Sequence, residues 1–156
     1  MTGKDFRRAF FSRNRGIKTK DIRITYGSGQ LEYIEIDNKV PIANFSAFQK
    51  LPGFVYLSIN VFSKMDISVL KEVKFRSFRL KVKEGYDLSI LGDFDNIKQL
   101  DILDYQGTDV SFVSKMKSLK NLRLSKCKNV SDLSPLKKSK IRWLSFNEFP
   151  QGGDLS

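Results

Sequence analysis

The segment LKNLRLSKCKNVSDLSPL, residues 119–136, contains two short phrases that recur along the chain. The first phrase is apolar-any-apolar, as in Leu122-Arg-Leu124, and this alternation is typical of a β-strand. The second phrase is Asp or Asn, apolar, Ser, any residue, apolar, and its five copies are 22, 21, 22 and 23 residues apart. The five copies begin at Asn44, Asp66, Asp87, Asp109 and Asp132. A nearly constant period in the twenties indicates a solenoid whose repeats stack as successive rungs.

Each repeat combines a strand with a short helical stretch. After the second phrase, apolar residues follow at intervals of three, as in Val113, Met116 and Leu119, which suits a 3₁₀ turn or a short helix. We expect an α/β solenoid with about six parallel strands on its concave face and short helical or 3₁₀ segments on its convex side. The Ser of each second phrase is expected to cap the helical stretch by accepting from first-turn N–H groups. The strand phrases begin at Ile34, Leu57, Phe78, Leu100, Leu122 and Leu144.

The pattern of residues 119–136 resembles the leucine-rich repeat family, specifically the bacterial internalin-like class with repeats near 22 residues. The resemblance rests on the strand phrase, on Cys127 at the family's Asn/Cys position and on the Asp-Leu-Ser-Pro-Leu segment. It covers roughly residues 31–149 and implies the solenoid fold. The chain departs from the family because Phe often replaces Leu and the Asn/Cys position is mostly lost. Without a ladder of buried amides at that position, the turns after the strands should be less well fixed than in the family, so we expect irregular repeats. The residues found at that position instead are Lys39, Phe62, Lys83, Tyr105 and Phe149.

The chain divides into an N-terminal cap, residues 1–30, a repeat solenoid, residues 31–149, and a C-terminal tail, residues 150–156. Within the cap, Phe6, Ala9 and Phe10 have helical spacing, so we expect a helix that lays its Phe face on the first rung. Two alternating runs around the turn 27–30 predict a β-hairpin. Residues 1–20 could instead form a basic membrane-surface or transit-like segment, or an arm for nucleic acid or an acidic partner.

The net charge is +11 and it is concentrated in two zones. Residues 1–20 contain seven Lys or Arg residues and one acidic residue. Residues 115–142 contain ten Lys or Arg residues and one acidic residue, whereas the stretch between the two zones is slightly acidic. The sequence has no His, which removes the commonest general base near neutral pH, and its single Cys has no His partner. The residues therefore predict no catalytic centre, no metal site, no cofactor and no small-molecule substrate. One Cys, no membrane span and no secretory leader predict a cytoplasmic setting.

The middle residue of each strand phrase and its neighbours two positions away point to the concave face, because side chains alternate along a strand. This surface mixes Tyr, Trp and Arg, residue types enriched in protein interfaces. Asp101 could bridge Arg79 and Arg123, either as a self-satisfied ladder or as part of a patch that meets a partner. The predicted partner-binding residues are Tyr33, Glu35, Tyr56, Ser58, Arg79, Lys81, Gln99, Asp101, Asn121, Arg123, Trp143 and Ser145.

The resulting hypothesis is a non-catalytic, cytoplasmic protein-binding module that uses the concave face. By analogy with fold relatives, such a binder could be an inhibitor, an adaptor or a toxin-neutralising immunity protein. The positive charge favours a partner with an acidic surface. The alternative hypothesis is polyanion binding, to nucleic acid or an anionic membrane, through residues 1–20 and 115–142.

Overall fold

The computed structural model of the protein describes residues 1–83 and 85–148, so the predicted tail 150–156 lies outside the described residues. One α-helix, α1 (Gly3–Arg13), precedes seven strands that form a single sheet in chain order. The strands are β1 (Ile22–Gly27), β2 (Gln30–Ile36), β3 (Tyr56–Val61), β4 (Ser77–Val82), β5 (Gln99–Leu103), β6 (Asn121–Ser125) and β7 (Trp143–Asn147). In the described residues no helix is both long and apolar enough to cross a bilayer.

The six strands β2–β7 pair in parallel, which confirms the predicted strand number and direction. Strand β1 joins them as the antiparallel partner of β2, so the predicted hairpin is also confirmed. Its turn is formed by Ser28 and Gly29, both with positive φ, the backbone that suits a tight two-residue hairpin loop. The sheet is open, and its core-facing residues stack from rung to rung; Leu57, Leu80, Leu100 and Leu122 are fully buried.

The return segments between strands are 3₁₀ helices, the shorter of the two predicted forms. They occupy Ser46–Lys50, Ser68–Glu72, Leu88–Asp93, Ser111–Ser114 and Ser134–Lys138, and a further 3₁₀ turn, Thr19–Asp21, leads into β1. Each apolar phrase buries its side chains under the sheet, as Val110, Val113 and Met116 do in one rung. A short 3₁₀ turn suffices because each rung needs to cover only its own strand and its neighbours.

The predicted capping by Ser is wrong, because the Asp or Asn two residues earlier supplies the acceptor. The Oδ1 atom of Asp109 accepts from the backbone N–H of Ser111 at 2.7 Å, while the Ser111 hydroxyl donates to Oδ2 at 2.9 Å. Asp87 and Ser89 form the same two bonds. A carboxylate accepts two donors and carries charge, so it outcompetes a hydroxyl as acceptor for this turn.

Helix α1 covers the first rung, as predicted from its Phe spacing. Phe6 and Phe10 are fully buried, and their rings meet the ring of Phe48 edge-on at 5.0 and 5.9 Å between centroids. The helix starts with a reciprocal capping box, in which the Thr2 hydroxyl accepts from the Asp5 N–H and the Asp5 carboxylate accepts from the Thr2 N–H. The apolar face of the basic segment is thus used inside the fold.

Asn14 joins the end of α1 to the loop that follows β2. Its side chain is 3% exposed, and its Oδ1 accepts from the backbone N–H groups of Ala43 and Asn44, both at 2.9 Å. Its Nδ2 donates to the carbonyls of Phe10 at 3.0 Å and Asn44 at 2.8 Å. One amide therefore satisfies four backbone groups and attaches the cap helix to the first rung.

The expectation that the turns lack a ladder of buried amides is wrong for the first two rungs. In these rungs, asparagines lie one or two positions before the family's Asn/Cys position. Asn38 and Asn60 are both buried. The Asn38 Oδ1 accepts from the Asn60 N–H at 3.0 Å, and the Asn38 Nδ2 donates to the Asn60 carbonyl at 2.9 Å. Asn60 Nδ2 returns a bond to the Asn38 carbonyl at 2.9 Å, so these turns are well fixed.

The turns after β5, β6 and β7 begin with a residue in the left-handed backbone conformation. Asp104, Lys126 and Glu148, each directly after a strand, have φ values of 63°, 55° and 58°. These residues are 22 positions apart, so the left-handed turn is itself repeated. For Lys and Glu, which carry a Cβ and no locally bonding short side chain, this conformation costs about 1 kcal/mol.

Candidate functional site

The candidate site is the open face, which we define as the side of strands β1–β7 that points away from the core. The strand register assembles it in columns, since each residue pairs with the equivalent residue of the next rung. The first column of β2–β7 is Tyr33, Tyr56, Ser77, Gln99, Asn121 and Trp143. The second column is Glu35, Ser58, Arg79, Asp101, Arg123 and Ser145.

The structure brings all twelve predicted residues onto this face. Eleven of them lie in these two columns, and Lys81 lies in a third, between Asn60 and Leu103. Their role in binding stays a prediction. The third column is less open than expected, because Asn60 and Ser125 are buried.

Aromatic side chains occupy the two ends of the first column. Tyr33 and Tyr56 pack against each other with ring centroids 5.4 Å apart, and Tyr33 remains 41% exposed. Trp143, on the last described strand, is 51% exposed. Large aromatic surface in water is unfavourable, by about 25 cal/mol for each Å² that could otherwise be buried. Both ends of the face therefore offer apolar area that a partner could cover.

Charged residues of the face are mostly paired. Arg23 Nη1 lies 3.1 Å from Glu35 Oε2, and Lys81 Nζ lies 3.9 Å from Asp104 Oδ2. These pairs are exposed to solvent, so each contributes little to stability, typically below about 1 kcal/mol.

Asp101 pairs with one of its two neighbouring arginines. Arg79 Nε lies 3.6 Å from Asp101 Oδ2, whereas no ion pair joins Asp101 to Arg123 within residues 1–83 and 85–148. Burial raises the pKa of Asp101, and the positive charges of Arg79 and Arg123 offset this only in part. The expected two-sided bridge is therefore wrong. Arg123 remains exposed next to the strand that carries Trp143.

Cys127 is buried. Its thiol is 4% exposed and donates to the Ser125 carbonyl at 3.3 Å, with the Ile102 carbonyl at 3.6 Å. Burial raises the pKa of this thiol, which disfavours the reactive thiolate. Within the described residues, no three His, Cys, Asp or Glu side chains converge as a metal site would require.

Sequence reasoning missed the polar groups that hold the scaffold in place. The signal for the Asn38–Asn60 pair was present, since the two residues are 22 positions apart. The pair does not match the family's pattern, because Lys39 and Phe62 occupy the Asn/Cys positions of these two rungs. Asn14 had no comparable signal, because its partners are about 30 residues away along the chain.

A comparison with solved structures finds a similar fold in the crystal structure of an internalin from Listeria monocytogenes. The TM-score is 0.51 and the sequence identity is 20%; the match covers 80% of this chain and 35% of the internalin chain. This chain therefore spans about a third of the internalin's length. No protein-family model and no curated protein matches the sequence.

Proposed function

We propose that the protein is a binding module that recognises another protein through its open face. The fold is an internalin-like leucine-rich repeat solenoid. The observation that carries the proposal is the continuous surface that six parallel rungs hold in register, with exposed aromatic side chains at both ends and paired charges between them. A rigid surface of this composition loses little conformational entropy on binding, so more of the contact energy appears as affinity.

Binding without catalysis is the activity that these residues support. The sequence lacks His altogether, and burial raises the pKa of its single Cys. The open-face carboxylates are engaged with arginine or lysine instead of standing as an acid–base pair. A bound protein would have part of its own surface covered, which is how an inhibitor or an immunity protein acts.

The finer proposal is a cytoplasmic inhibitor or toxin-neutralising immunity protein whose partner presents an acidic surface. The net charge of +11 supports an acidic partner, since complementary potentials accelerate association and exclude like-charged competitors. The single Cys supports a reducing compartment.

Tagged protein incubated with lysate of the source cell, followed by cross-linking and mass spectrometry, tests the proposal. The open-face variant is Arg123→Glu/Trp143→Ala. The control variant is Val40→Ala/Lys50→Glu, which removes apolar surface and reverses one charge at exposed positions outside the open face. With two contacts near 2 kcal/mol each, we expect the open-face variant to lose affinity by about 700-fold and the control to keep it. A specific partner that binds all three proteins equally would refute the assignment to this face.

The alternative of polyanion binding through residues 1–20 and 115–142 would need two separate surfaces. Residues 1–20 belong to the cap beside β1, and residues 115–142 belong to the rungs of β6 and β7. At about 4.8 Å per strand these ends are roughly 25 Å apart. Part of the cap's charge is also used internally, because Arg7 donates to the carbonyls of Thr19 and Ile22.

A further inference from the structure

A column of basic residues lies at the edge of the sheet where the strands begin. The residue immediately before each of the strands β4–β7 is Lys or Arg, and these four residues are spaced by 22. We call them the basic ladder: Arg76, Lys98, Lys120 and Arg142. The corresponding residues before the first columns of β2 and β3 are Glu32 and Val55, so the ladder starts at the fourth strand.

Backbone hydrogen bonds hold the ladder residues one above another. The Arg76 carbonyl accepts from the N–H groups of Lys98 at 2.8 Å and Gln99 at 3.1 Å. The Lys98 carbonyl accepts in the same way from Lys120 and Asn121, and the Lys120 carbonyl from Arg142 and Trp143. The backbones of the four basic residues therefore follow one edge of the sheet at about 4.8 Å per rung, over a length of roughly 15 Å.

In the described part of the chain, the ladder residues form no ion pair. Across residues 1–83 and 85–148, the ion pairs are Arg23–Glu35, Lys39–Asp37, Arg79–Asp101 and Lys81–Asp104, and none involves a ladder residue. Arg76, Lys98 and Arg142 are exposed and Lys120 is half-buried. Arg76 and Lys98 line a surface groove together with Glu32 and Glu72. Asp93 and Asp95, which precede Lys98 in the chain, line an adjoining groove, so the nearby acids lie at the β2–β5 end of the edge. Like charges this close repel, and a polyanion laid along them would relieve that repulsion.

The composition of this edge fits a nucleic acid strand better than an acidic protein. Lysine is depleted in protein–protein interfaces, whereas Lys and Arg are the usual ligands of backbone phosphates. Each ladder residue is followed directly by a first-column residue of the open face. Gln99, Asn121 and Trp143 thus start the strands next to the ladder and supply amides that can bond base edges and an indole on which a base can stack.

We propose that the basic ladder binds the phosphodiester backbone of a single-stranded nucleic acid, with about one phosphate per rung. Trp143 lies beside the Arg142 end and stacks on a base there. This site shares Lys120 and Arg142 with the basic zone 115–142 and adds Arg76 and Lys98 from the slightly acidic middle of the chain. It also goes beyond the proposed protein binding and does not depend on it.

Fluorescence anisotropy with labelled oligothymidine and oligouridine of about 20 nucleotides tests the ladder, and the two probes separate DNA from RNA as the source of the phosphates. Four cations at about 0.7 counterions each predict a slope of about −2.8 for log K against log salt. Affinity should then fall about 50-fold between about 50 and 200 mM salt. Lys98→Gln/Lys120→Gln removes two cations, so its slope should be about −1.4.

The matched control is Lys50→Gln/Lys64→Gln, which has the same net charge and changes exposed lysines elsewhere. It should keep the slope near −2.8, and Lys98→Arg/Lys120→Arg should keep it as well. Equal slopes for the ladder and control variants would overturn the proposal, because net charge alone would then explain binding. Poly-L-glutamate that binds more tightly than both oligonucleotides, with the same dependence on Lys98 and Lys120, would overturn it in favour of an acidic protein segment. The absence of saturable oligonucleotide binding at about 50 mM salt would also overturn it.

Discussion

Replacing Asn14 by Ala tests whether one buried amide attaches the cap helix to the solenoid. The substitution removes four hydrogen bonds, to Ala43 N–H, Asn44 N–H, the Phe10 carbonyl and the Asn44 carbonyl. At a net value of about 1 kcal/mol each, the bonds sum to about 4 kcal/mol. The Ala43–Asn44 backbone is partly accessible to water, which can replace some of them. We therefore expect a loss of about 3 kcal/mol.

Urea unfolding followed by far-UV circular dichroism measures this loss, with Asn129→Ala as the control. Asn129 is exposed and makes a single bond to the Gln106 carbonyl at 2.7 Å, so its loss should stay below about 1 kcal/mol. In thermal unfolding, 3 kcal/mol corresponds to a decrease in Tm of about 9 °C for a chain of this length. The helix should also open locally, which trypsin would report as faster cleavage after Arg13 and Arg15. A loss for Asn14→Ala no larger than that of the control would refute the reasoning.

Three further predictions concern the turns, the open face and the core. Lys126→Gly should raise the free energy of unfolding by about 0.5–1 kcal/mol, because Lys126 has a φ of 55° that glycine adopts without strain. The control Lys128→Gly, in the same loop, should lower the free energy of unfolding. A urea titration in which both variants lose stability would contradict the strain argument. For Asp101, burial raises the pKa in the folded state above its value in the unfolded state. At a pH between these two pKa values, the unfolded state binds fewer protons than the folded state. The contribution of Asp101 to the free energy of unfolding therefore falls as the pH rises through this range. The stability of the wild type relative to Asp101→Asn should therefore decrease from about pH 3 to pH 7, and a difference that grows with pH would show that the Arg79 pair dominates. Cys127 should react with iodoacetamide at least about 100-fold more slowly in the native protein than in urea, since its thiol is buried and its pKa raised; similar rates in the two states would contradict the burial.

The arrangement of the open face could be predicted because a solenoid converts sequence period into spatial neighbourhood. Residues one repeat apart, such as Gln99 and Asn121, must lie side by side once the strands are parallel and in register. The prediction held even between Tyr33 and Tyr56, where the spacing is 23, because the apolar phrases themselves set the register. The helical cap followed from the spacing of Phe6 and Phe10 for the same reason, since burial of one face leaves a local pattern.

Polar details could not be predicted from the same pattern. Asp109 and not Ser111 supplies the turn acceptor, and Asp101 pairs with Arg79 and not with Arg123. In each case two chemically suitable side chains lie within a few ångströms of the same partner, and only one of them forms the hydrogen bond or ion pair. A pattern of residue types cannot rank such competitors, because the outcome depends on side-chain rotamers and burial.

By itself, the sequence determined the number of parallel strands, their order and the residues that share each column of the open face. Whether an apolar residue is buried depends on its position within the repeat, and the spacing of the repeated phrases gives that position. Only the tertiary structure decided how the cap is attached through Asn14 and how Asn38 and Asn60 fix the first turns. It also decided that the basic ladder is aligned along one edge and forms no ion pair with any described residue. These features depend on distances and directions between atoms remote in the chain, because hydrogen bonds and ion pairs are short-ranged and directional whereas hydrophobic burial is not.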